Sequence, residues 1–101
     1  MVDPELDELK REFLTEAQDK VREIQSAIER GRSPEVLNRV AYIAHQLKGS
    51  GGSYGYQRIS SEAAEIEKAV ESDGEAVDTR IKQHVSALRE EIDRRTAELS
   101  T

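Results

Sequence analysis

His45 and Lys48 stand three residues apart, with glycines following at 49, 51, 52 and 55. An unperturbed imidazole titrates near pH 6.5, so at neutral pH its free ring nitrogen is a nucleophile without a separate base. The lysine adds a positive charge beside it. Four of the six glycines fall within those seven residues, and no Asp or Glu occurs from Val36 to Ser61 in a chain with 21 acids. Arg39, Lys48 and Arg58 are the charges of that window, which makes it +3 inside a chain of −6. The segment excludes both bulk and negative charge.

A helix has to present these residues. Val36, Val40, Ile43 and Leu47 recur at helical spacing, and each residue advances about 100° around the axis. With Val36 at 0°, Val40, Ile43, Ala44, Leu47 and Gly51 fall within roughly 80° of it and form the buried face. His45 lies at about 180°, directed to water or to a partner. Ala41, Gly52 and Gly49 surround it at about 140°, 160° and 220°, and Lys48 stands at about 120°. Each mid-helix glycine costs about 1 kcal/mol relative to alanine. On an exposed face beside an outward histidine, that cost implies close approach by another molecule. Val36, Leu37 and Val40 are expected to build the core beneath, and Asn38, Ala41, Tyr42 and Tyr56 to form a docking rim. Tyr42 and Tyr56 have packing against neighbouring helices as their alternative.

The other elements follow from the same periodicity. Leu6, Leu9, Phe13, Ala17, Val21, Ile24 and Ile28 mark a first helix, capped by Asp3 with Pro4 behind it and closed by Gly31. Ser33 and Pro34 open the second. Ile59, Ala63, Ile66 and Val70 mark a third, ended by Ser72-Asp73-Gly74, and Val77 to Leu99 a fourth. The expected helices span about 4–30, 34–53, 56–71 and 75–99. No segment alternates with period two. Short connections make consecutive helices antiparallel, so the chain reads as all-α, an up-down four-helix bundle forming a single domain over 1–101.

Composition narrows the function classes. A chain of 101 residues holds one small core. The longest apolar run, Val40 to Ala44, is far short of the roughly 20 residues of a spanning helix. The N-terminus lacks the basic and apolar regions of a signal peptide, and a cytoplasmic, monomeric domain is expected. An acidic chain suits neither nucleic acid nor a membrane surface. There is no cysteine. Lys48-Gly49-Ser50 lacks the glycine spacing and the strand of a phosphate-binding loop, and Tyr54 occupies the third glycine position of a dinucleotide fingerprint. His45 and His84 are too far apart for a helical metal pair, so no metal is expected, and His84 reads as structural.

The run His45-Gln46-Leu47-Lys48-Gly49-Ser50-Gly51-Gly52-Ser53-Tyr54-Gly55-Tyr56 closely resembles the motif of histidine-containing phosphotransfer (HPt) domains, helical modules of two-component phosphorelays. Phe13-Leu14-Thr15-Glu16-Ala17 is similar to that family's opening helix. The resemblance implies that His45 is the phosphoryl acceptor, that Lys48 offsets phosphate charge, and that Gly49 and Gly52 clear space for a receiver domain. In the chemotaxis-kinase branch a glutamate twenty-two residues after the histidine holds the imidazole; Glu67 stands at that spacing. The implied partners are a response-regulator receiver and a histidine kinase. No cofactor is expected in this chain, Mg²⁺ being supplied by the receiver. The domain would carry phosphate without kinase activity of its own. The competing reading is a non-phosphorylated helical adaptor that binds partners through the same patch.

Overall fold

The computed structural model describes residues 3–72 and 77–99. They form four helices, α1 (Pro4–Glu29), α2 (Pro34–Ser53), α3 (Gln57–Glu71) and α4 (Val77–Leu99). Each packs against two neighbours in the order α1, α2, α3, α4 and back to α1. The bundle measures 48 × 20 × 19 Å. This is the expected all-α four-helix arrangement. The expected start of the last helix at 75, and Asp73-Gly74 of the turn before it, lie outside the described residues.

Local chemistry sets the helix ends. The Asp3 carboxylate accepts hydrogen bonds from the N–H groups of Glu5 and Leu6, and the Ser33 hydroxyl accepts one from Val36. Pro4 and Pro34 occupy first-turn positions where no N–H is needed. At the end of α2 the Tyr56 N–H donates to Gly51 O at 2.8 Å and the Gly55 N–H to Gly52 O at 3.1 Å. That is a Schellman closure, and it requires the left-handed conformation that Gly55 adopts at φ +81°.

The core is built from the predicted stripes. Leu14, Ile24, Ile43, Leu47, Ile59, Ile66, Ile81, Leu88 and Ile92 are essentially inaccessible to solvent. Two expectations fail at its edges. Leu6 and Leu9 continue the α1 stripe but remain 42% and 47% exposed. Tyr54 and Tyr56 stack on Phe13 and close the core there, so the first turns of α1 extend beyond the α2–α3 end. Leu37 is only half-buried and outside the core, because its 100° offset puts it on the flank of α2; Val36 packs partly against the core and Val40 fully within it.

Sequence periodicity also missed Glu91, the buried charge among the described residues at 2% exposure. Its carboxylate accepts from Arg94 Nη1 and Arg95 Nε, both at 2.8 Å. Such pairing offsets the desolvation that would otherwise expel a carboxylate from the interior.

Candidate functional site

His45 projects from the middle of α2, its side chain 70% exposed. Its Nδ1 lies 3.2 Å from Glu67 Oε2 on α3. A carboxylate can only accept, so the contact favours the tautomer in which Nδ1–H donates to Glu67. The second ring nitrogen, Nε2, has no hydrogen-bond partner among the described residues. Glu67 is the more enclosed member, 22% exposed, and its Oε1 stands 3.9 Å from Lys48 Nζ. At that distance the lysine is attracted but not hydrogen-bonded, and Oε1 is buried without a hydrogen bond. The three residues that sequence reasoning singled out for chemistry therefore converge.

The acid-free window is acid-free only along the chain. Glu67 reaches Lys48 from α3, and Glu23 of α1 grips Arg39, accepting from Nε at 2.5 Å and Nη2 at 3.1 Å. The Arg39 guanidinium holds the Glu23 carboxyl below its ordinary range. Arg39 also lies over the Tyr42 ring, 5.5 Å from its centroid. The expected local +3 is thus partly compensated by carboxylates from neighbouring helices.

The rim residues separate into two groups. Asn38, Tyr42, Gly49 and Gly52 are exposed on α2, and Ala41 is half-buried beside them. Gln46 Nε2 donates to the Tyr42 hydroxyl at 3.0 Å, which leaves that ring standing 54% exposed. Tyr56 does not join them. Its ring stacks on Phe13 at 5.9 Å with Lys10 above it, and burial pushes its hydroxyl above the usual tyrosine range. Tyr56 follows the Schellman turn after Ser53, which carries it away from the exposed face of α2. Tyr56 takes the packing alternative.

Sequence reasoning missed how closely α2 and α3 approach. The Ser60 hydroxyl donates to the carbonyl of Lys48 at 2.9 Å, pinning α3 to the turn of α2 that carries the lysine. Ser60 precedes Glu67 by seven residues, two helical turns, so both face α2. A Cβ on Gly51 would lie 3.1 Å from Ile59 Cγ2 and 3.2 Å from Ser60 N. One on Gly49 would meet nothing within 4 Å, and one on Gly52 only Ser60 Oγ at 3.7 Å.

These glycines should respond oppositely to alanine. Gly49→Ala is expected to stabilise the fold by about 1 kcal/mol, the difference in helix propensity. Gly51→Ala gains the same propensity but drives a methyl into a buried isoleucine and a backbone nitrogen, an overpacking cost of about 1–3 kcal/mol. Urea melts should move the two midpoints in opposite directions. A stabilised Gly51→Ala would show that α2 and α3 can separate.

Among the described residues no group of three His, Cys, Asp or Glu side chains could hold a metal ion, and no helix is long and apolar enough to cross a membrane. No curated protein and no solved structure matches the chain. The family model of the Hpt domain does match, over residues 8–96, a span that includes the α2 histidine, its lysine and the α3 glutamate. The chain belongs to the Hpt domain family, the histidine phosphocarriers of two-component phosphorelays.

Proposed function

We propose that His45 is the residue that carries the phosphoryl group, accepted from an aspartyl phosphate of a receiver domain or from a kinase and passed to a response regulator. One observation carries this reading: an exposed imidazole whose Nδ1 is engaged by a carboxylate, leaving Nε2 for attack. The Nε2 lone pair attacks phosphorus, the P–O bond to the aspartate breaks, and its electron pair leaves on the carboxylate. The proton stays on Nδ1, where Glu67 offsets the positive charge that the ring acquires. Phosphoryl transfer is mainly positioning and charge neutralisation. Mg²⁺ would belong to the receiver's own acidic pocket. Gly49 and Gly52 give the receiver backbone-level access, and Asn38, Ala41 and Tyr42 flank it.

The test is incubation with a phosphorylated receiver, followed by mass mapping of the phosphate. Phosphate on His45 supports the proposal; phosphate on another residue, or none with several receivers, overturns it.

Lys48 is assigned to the phosphoryl oxygens. Its side chain is 50% exposed and its ammonium only loosely held by Glu67, so it can swing to a phosphate on Nε2. A charge-assisted hydrogen bond is worth about 1.5–3 kcal/mol, so Lys48→Ala should slow transfer about 10- to 100-fold. Rapid-quench transfer kinetics at saturating receiver would read this. An unchanged rate would assign charge neutralisation to the partner alone.

A further inference from the structure

The protein contains a second histidine–glutamate pair on the far side of the same helix. His84 Nδ1 of α4 lies 2.7 Å from Glu62 Oε2 of α3. The two side chains are 27% and 17% exposed, so the pair is drier and shorter than His45–Glu67. As with His45, the nitrogen engaged is Nδ1. Nε2 of His84 has no partner among the described residues and is not sealed from water.

Both carboxylates belong to α3. Glu62 and Glu67 are five residues apart, which sets them about 140° apart around the axis and about 7.5 Å apart along it. One therefore reaches back to α4 while the other reaches forward to α2. Glu67 itself is weakly held: Oε1 has no hydrogen bond and Lys48 is 3.9 Å away. Its hydrogen bond to His45 therefore depends on where the α3 backbone sets it. With side chains about 5–6 Å from a helix axis, a rotation of about 10° moves a side-chain tip by about 1 Å. That is enough to open the 3.2 Å contact with His45.

On the α2 side, the Ser60 hydroxyl and the Gly51 contact hold α3 near its N-terminal end. The apolar face of α3, Ile59, Ala63, Ile66 and Ala69, is buried in the core between α2 and α4. The N-cap of α3, Tyr56, adds no side-chain bond. On the α4 side, Glu62 adds a directional polar contact through His84 to that apolar packing.

We propose that Glu62 and His84 are a positioning pair for the phosphoryl-accepting site, fixing the rotation of α3 from its α4 side and so setting the reach of Glu67 to His45. The pair touches no reacting atom. The proposal rests on the reading of His45 as acceptor only for its functional consequence; the coupling itself is a property of the unphosphorylated domain.

The tautomer of His45, read by long-range ¹H–¹⁵N correlation, tests it. Glu67→Ala serves as the reference for a released imidazole. His84→Leu is expected to move the His45 tautomer most of the way from wild type toward that reference, although His84 is on a different helix. His84→Asn, whose amide donor can replace Nδ1–H, is expected to restore the wild-type signature. If His84→Leu does not fold, Glu62→Ala gives the same reading with the imidazole volume retained. A His45 tautomer unmoved by His84→Leu or Glu62→Ala, unmoved by Glu67→Ala itself, or moved equally by His84→Asn and His84→Leu overturns the proposal. Wild-type transfer, measured separately, distinguishes the two readings: its absence alongside a shifting tautomer would overturn the acceptor role while supporting the coupling.

Discussion

His45→Gln is expected to lose all acid-labile, alkali-stable phosphate while the domain stays folded and still binds its receiver. The imidazole is exposed, and among the described residues its hydrogen bond is to Glu67. Glutamine is a good helix former and its amide can still donate to that carboxylate, so stability should change by no more than about 0.5 kcal/mol. Glycines 49 and 52 and the α2 surface around them are untouched, so the docking face survives. Chemistry and binding are thereby separated. Labelling with phosphorylated receiver, circular dichroism and titration calorimetry together check the expectation. Phosphate retained in the variant would move the acceptor elsewhere. A variant that binds normally and also supports full signalling would favour the adaptor reading, in which the imidazole is dispensable.

The site was legible in the sequence to the extent that it follows from one helix. The 3.6-residue period puts His45 opposite Val36 and Val40, and that placement needs nothing beyond the chain itself. Glu67 entered differently, through the resemblance to a motif; periodicity says which face of α3 it occupies but not that the face meets His45. Features made between helices stayed hidden. Ser60 on the Lys48 carbonyl, Glu62 on His84 and Glu23 on Arg39 each depend on how two cylinders are rotated and spaced. A charge tally along the chain therefore described an acid-free window that the folded protein fills from α1 and α3.

The fold errors have a related origin. Apolar spacing marks a stripe but not its length, so Leu6 and Leu9 belong to the pattern without reaching the core. Tyr56 stands beyond the expected end of the second helix at 53, where that helix's angles no longer say which way a side chain faces, and the turn through Gly55 carries it onto Phe13. Glu91 violates the polar-outside rule, and its reason is local: arginines three and four residues later grip both carboxylate oxygens.

Phe13→Ala is expected to be strongly destabilising. Phe13 is 5% exposed, and its ring lies 5.1 Å from that of Tyr54 and 5.9 Å from that of Tyr56, stacked against both. Truncating a buried phenylalanine costs about 3–5 kcal/mol, against about 5–15 kcal/mol for the stability of a whole domain. For a domain of this size that corresponds to a fall in Tm of about 12–40 °C. The loss should not be evenly spread. The two tyrosines bracket Gly55 in the turn that ends α2, where the backbone bonds from Tyr56 N–H to Gly51 O and from Gly55 N–H to Gly52 O close the turn. Hydrogen exchange should therefore accelerate at the Gly55 and Tyr56 amides more than in the middle of α2, even well below the melting temperature. Phe13→Leu, which keeps much of the volume but neither stack, should fall between the two. A Tm within a few degrees of wild type for Phe13→Ala would mean that the α2–α3 turn holds itself, and that α1 only covers it.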